Sequence, residues 1–215
     1  MTYRLVVFDW DGTLIDSAAT IVECIQAAAR DLGIGVPPDE RARHVIGLGL
    51  HDSLRHAVPD LLPERYLEFA ERYRQHFRAR QDRMPLFAGV AELLGELCGE
   101  KTLAIATGKS RRGLDYALDS GNLRHFFAAS RCADETHPKP HPAMLLELME
   151  ELGRKPDETV MVGDTSHDME MARAAGVDAL AVSYGAHPHA SLVACRPKGC
   201  VSTVEELRAW LTTNG

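Results

Sequence analysis

The sequence predicts an α/β fold: a doubly wound parallel sheet with an all-helical unit inserted into it. Three observations predict it. Short apolar runs rich in β-branched and aromatic residues recur along the chain, amphipathic helical patterns lie between them, and one long stretch carries helical periodicity with no strand signal. A length of 215 residues suits one core plus one insertion.

The first strand is Tyr3–Asp9 (YRLVVFD), closed by Gly12. Further strands are expected at Thr102–Thr107 (TLAIAT), around Phe126–Ser130, at Thr159–Gly163 (TVMVG) and at Asp178–Ser183 (DALAVS). Between them Val90, Leu93, Leu94 and Leu97 share one helical face, as do Leu145, Leu148, Met149 and Leu152. Right-handed crossovers then put helices on both sheet faces, and ligands bind at the carboxyl ends of the strands. The segment 16–84 breaks the alternation. Ile21, Ile25, Ala28, Ala29 and Leu32 form one stripe, and Tyr66, Phe69, Ala70, Tyr73 and Phe77 another, with turns at Gly33–Pro38 and Pro59–Pro63. The expected division is a core of residues 1–15 and 85–215 and a helical cap of residues 16–84 above the crevice, with hinges near Leu14–Ser17 and Met84–Gly89.

Composition removes several functions. Asp plus Glu number 31 against 24 Lys plus Arg, a net charge of −7, which argues against a nucleic-acid binder. No apolar run approaches the roughly 20 residues of a membrane span, and no secretory leader is visible, so the chain reads as cytoplasmic. Five scattered cysteines without a C-x-x-C pair read as reduced thiols. His187, His189, Cys195 and Cys200 match no common zinc spacing and read as surface residues and small core thiols.

The chemistry-bearing residues fall at strand ends. Asp9 and Asp11 are two apart on an extended backbone and share one side, and Gly12 permits a sharp turn. Such a pair suits a divalent cation, or a nucleophile beside an acid/base, although Asp-Gly after a strand is also a common turn. Thr107-Gly108 brings a hydroxyl and a flexible N–H to the crevice. Lys139 is framed by Pro138 and Pro140. Asp164 closes TVMVG and Asp168 follows in the first helical turn, where a carboxylate also favours the helix N-terminus.

Together these positions resemble the haloacid dehalogenase-like hydrolases, within them the phosphatases with a helical cap after the first strand, and the phosphoglycolate phosphatase group above all. The four motifs stand in order: D-x-D-G-T at Asp9–Thr13, Thr107, Lys139, and G-D-x-x-x-D at Gly163–Asp168. The resemblance spans about residues 3–207. It implies a Rossmann-like core and a Mg²⁺-dependent phosphomonoesterase in which Asp9 becomes an aspartyl phosphate. Asp11 would then protonate the leaving oxygen and later activate water. It further implies Mg²⁺ held by Asp9, the Asp11 carbonyl and Asp164, with Asp168 in support. Thr107, Lys139 and the backbone near Trp10 and Gly108 would hold the phosphoryl group.

Asp11 separates the chain from dehalogenases, which lack the second aspartate, and from phosphonate hydrolases, which have Ala there and use a cap lysine; segment 16–84 contains no lysine. β-Phosphoglucomutase shares motifs and cap, so mutase chemistry stays open beside phosphatases of sugar phosphates or nucleotides. Receiver domains of signalling proteins also use an acidic cluster with Thr and Lys, but are about half as long and carry their aspartate after the third strand. The expected partner is a small phosphorylated metabolite, with neither nucleic acid nor membrane, and the protein a monomer or homodimer. In the cap, Arg43 and Arg55 flank the loop Gly47–Leu50 and are candidates for reading the leaving group, against the alternative of a solvated helical face.

Overall fold

The computed structural model describes residues 3–214. Six parallel strands run β1 (Leu5–Phe8), β2 (Thr102–Thr107), β3 (Ala129–Cys132), β4 (Thr159–Gly163), β5 (Asp178–Val182) and β6 (Gly199–Val201), in the spatial order β3-β2-β1-β4-β5-β6. The LVVF of β1 is wholly buried, as a strand covered on both faces must be. Its side chains alternate between two cores. Val6 and Phe8 join Leu103, Ile105, Val160, Val162 and Leu180 on one face; Leu5 and Val7 join Ala104, Ala106 and Met161 on the other.

The first face is covered by α5 (Val90–Leu97), α6 (Arg111–Ser120) and α10 (Val204–Thr213), and the second by α7 (Ala143–Glu151), α8 (Ser166–Ala175) and α9 (His189–Ala194). The chain builds outward through β2 and β3, then crosses back to β4 on the other side of β1. That reversal opens a crevice at the carboxyl ends of β1 and β4, where Phe8 is in register with Val162.

The third strand lies later than the Phe126–Ser130 expected from sequence. Arg124–Phe126 form a 3₁₀ turn, Phe126 and Phe127 pack against the core as the chain enters, and pairing with β2 begins only at Ala129.

Between β1 and α5 lie α1 (Ala18–Asp31), α2 (Asp39–His44), α3 (Leu50–Ala57) and α4 (Tyr66–Arg78). They share an apolar cluster of their own, with Ile21, Ile25, Ala28 and Ala29 of α1 against Tyr66 and Phe69 of α4. The chain leaves and re-enters the core side by side: Ile15 bridges Leu86 antiparallel, and Asp16 and Phe87 N–H groups donate to Pro85 and Leu14 carbonyls. No helix among the described residues is long and apolar enough to cross a membrane.

Candidate functional site

Asp9 follows the last residue of β1, and its neighbour across the crevice, Asp164, follows β4. Gly12 turns the chain at φ +83°, and a Cβ there would stand 2.1 Å from Asp164 Oδ2, so only glycine lets the two strand ends meet. Gly163 has the same function toward Asp168, whose Cγ would lie 2.3 Å from an added Cβ.

Asp168 sits in the first turn of α8. Thr165 caps that helix, accepting from the Asp168 N–H, while the Asp168 carboxylate accepts from the Thr165 N–H at 3.0 Å and hydroxyl at 2.7 Å. The other oxygen, Oδ1, meets Lys139 Nζ at 2.7 Å, and the same ammonium lies 2.7 Å from Asp9 Oδ1. Asp164 accepts from the Thr13 hydroxyl at 2.9 Å and the Ala186 N–H at 2.7 Å.

Carboxylate oxygens of Asp9, Asp164 and Asp168 thus lie within 4.8 Å of one another, all buried, with one buried lysine among them. Burial disfavours every charge here. It pushes Asp9 up to about 7, against the opposing pull of Lys139 and with the added push of Asp168. Asp164 goes well above the usual carboxylate range through burial, then through Asp9 and Asp168. Burial alone would lower Lys139, but Asp168 and Asp9 outweigh it and hold the ammonium firmly charged. Asp9 Oδ2 is buried with no hydrogen-bond partner. An unpartnered carboxylate oxygen in an all-oxygen set that carries excess negative charge fits a hard divalent cation such as Mg²⁺.

Asp9, Asp11 and Thr107 open onto a crevice of about 770 Å³ between the core and the helical insertion. The Asp11 carboxylate turns away from the aspartate cluster. It accepts from Ser17 Oγ at 2.9 Å and from Lys109 Nζ at 3.0 and 3.2 Å. Lys109 in turn lies over the Phe77 ring of α4, 4.6 Å from its centroid. A lysine so covered is uncommon, and the one local signal for Lys109 is its place two residues beyond the Thr107 strand end.

The geometry is that of the family indicated by the motifs, and the comparisons decide it. A family model described as haloacid dehalogenase-like hydrolase matches residues 6–182. The chain belongs to the haloacid dehalogenase-like hydrolases. A relative named "Probable phosphatase IndB" from Dickeya dadantii (strain 3937) is 38% identical over 210 residues, covering 94% of this chain and 91% of its own. The phosphoglycolate phosphatase of Chromobacterium violaceum is 33% identical over 193 residues, 85% of this chain and 86% of that one. Among solved structures, a haloacid dehalogenase-like family hydrolase from Streptococcus pneumoniae superposes with a TM-score of 0.84 at 25% identity, covering 97% and 98% of the two chains. Family and relatives together make the chain a phosphatase.

In this haloacid dehalogenase-like hydrolase the remaining candidates fall on two sides. Gly108 lines the crevice and touches the insertion, since a Cβ there would be 2.5 Å from the Gly47 carbonyl. Gly47 lines it too, at φ +89°. Trp10 offers only its backbone, because its side chain is buried in the core edge-on to Phe127. Arg43 and Arg55 are not among the crevice residues; the cations that are, beside Lys109, are Arg74 and Arg78 of α4 and Arg112 of α6. Of the four residues near the C-terminus, His189 and Cys200 meet at 3.4 Å. His187, read from sequence as a surface residue, is instead buried and lies with His44 and His167. Burial pushes His187 down to about 4 and lowers His167, so both rings are neutral near neutral pH.

Proposed function

We propose that this phosphatase hydrolyses a small anionic phosphomonoester, of the phosphoglycolate kind, through phosphoryl transfer to Asp9. The observation that carries the reading is the buried Asp9 carboxylate. One of its oxygens is held by Lys139, the other is unpartnered, and the residue opens onto a crevice between core and insertion. In the first step an Asp9 oxygen bonds to phosphorus as the bond to the leaving oxygen breaks, and Asp11 gives that oxygen a proton. In the second, a water oxygen bonds to phosphorus, Asp11 takes the water's proton, and the Asp9 carboxylate is released. The Thr107 hydroxyl, the Gly108 N–H and Lys139 stabilise charge on the transferring group. Asp9, the Asp11 carbonyl, Asp164 and Asp168 would hold Mg²⁺, which when bound neutralises phosphate charge.

Residues 16–84 act in this reading as a cap hinged at 14–17 and 84–89, closing over the substrate to exclude water. Phosphoglycolate carries a second anionic group, and the crevice cations Arg74, Arg78 and Arg112 are placed to meet it. The similarity to a phosphoglycolate phosphatase over most of both chains supports the same substrate class.

The test compares kcat/KM for phosphoglycolate and p-nitrophenyl phosphate with Mg²⁺, in wild type and in the Arg74→Ala/Arg78→Ala double variant. A hydrogen bond to a charged group is worth about 1.5–3 kcal/mol, so phosphoglycolate should lose roughly tenfold to a hundredfold while the aryl ester changes little. Equal losses on both, or none, contradict recognition by α4.

A further inference from the structure

We propose that His44, His167 and His187 form a second cation site, suited to a borderline divalent transition-metal ion such as Zn²⁺, that ties the helical insertion to the core. The three rings come from three segments: the last residue of α2, the first turn of α8 and the loop after β5. One nitrogen from each lies within 4.8 Å of the others. Ring centroids are 5.1–5.2 Å apart throughout. Three imidazoles are a donor set that Zn²⁺, Cu²⁺ or Ni²⁺ takes, whereas Mg²⁺ takes oxygens such as those of the aspartate cluster. The two centres therefore differ in the ion they select.

Two of the rings share one backbone acceptor, which fixes their orientation. His167 Nε2 lies 2.7 Å, and His187 Nε2 3.2 Å, from the His44 carbonyl oxygen. A ligating histidine commonly directs its second ring nitrogen to a backbone carbonyl. His187 Nδ1 accepts from the Ser166 N–H at 3.1 Å, so ligation through Nδ1 exchanges that donor for the ion. A proton on any ring nitrogen that binds the ion leaves to solvent. Tetrahedral Zn²⁺ with bonds of about 2.0–2.1 Å sets its ligands about 3.3 Å apart, so nitrogens now up to 4.8 Å apart must close by as much as about 1.5 Å. The His44 ring is exposed and makes no side-chain hydrogen bond among the described residues, and can swing to close that gap. His56, also exposed, lies edge-on to His44 at 6.2 Å, while a water completes the fourth position of a three-histidine site.

The test is titration of the whole protein with Co²⁺ and then Zn²⁺ in saturating Mg²⁺, in wild type and His44→Ala. The expected result is one equivalent of Co²⁺ with the intense visible absorption of tetrahedral nitrogen ligation, displaced by Zn²⁺ and accompanied by a zinc-dependent rise in Tm. In His44→Ala the affinity should fall at least tenfold and the Tm rise disappear, while Mg²⁺-supported p-nitrophenyl phosphate turnover persists and reports an intact fold. No tetrahedral spectrum in wild type, or one undiminished in His44→Ala, overturns the proposal whatever the chemistry at Asp9.

Discussion

Asp9→Asn is expected to give a folded protein whose turnover is lower by roughly 10⁴-fold or more. The amide is nearly isosteric with the carboxylate, so the packing at the end of β1 persists. Lys139 keeps Asp168 as its partner at 2.7 Å. What disappears is the oxygen nucleophile, and an amide cannot replace it. Stability should hold or rise, because the substitution removes a charge that burial already opposes at this position. Phosphate release measures the first effect and thermal unfolding the second. A folded Asp9→Asn protein with near-normal turnover contradicts the assignment.

The second large effect concerns Asp11. Asp11→Asn should lower kcat/KM for an alkyl phosphate by about 10²–10⁴-fold and affect p-nitrophenyl phosphate far less in the phosphorylation step. An alkoxide needs a proton to leave, whereas p-nitrophenolate does not. The geometry adds a condition: Asp11 is held by Ser17 and Lys109, and Lys109 lies over Phe77 of the insertion. Asp11 is thus positioned partly from the far side of the crevice. Burst amplitudes with the two ester types separate leaving-group departure from later hydrolysis. Equal losses on both in the burst leave Asp11 a positioning role only.

The core was legible in the sequence because each of its signals is local. Strands β2 and β4 occupy the residues their apolar runs marked, and Asp9, Thr107 and Asp164 stand at or just beyond strand ends. What sequence left open depends on packing between segments far apart in the chain. Periodicity put Tyr73 and Phe77 on an apolar face, but did not reveal that Phe77 is half-buried beneath Lys109. Arg43 and Arg55 stood out because they flank a glycine loop. The loop does reach the core, with Gly47 against Gly108 and Gly49 against Pro138, but the crevice cations come from α4 and α6. His187 was grouped with the cysteines near it in sequence, whereas its ring packs against His44, 143 positions away, and His167. Nothing local distinguishes a surface histidine from one that meets two others across an interface.

The most direct measurement traps the phosphorylated residue. Asp11→Asn, lacking the base that activates water, should accumulate the acyl phosphate when given p-nitrophenyl phosphate and Mg²⁺. Rapid quenching, borohydride reduction and peptide mass mapping should find residue 9 converted to homoserine, in substrate-dependent amount, and unmodified when substrate is omitted. A burst of p-nitrophenol with position 9 unmodified at every quench time, or with another residue modified in its place, contradicts Asp9 as the nucleophile.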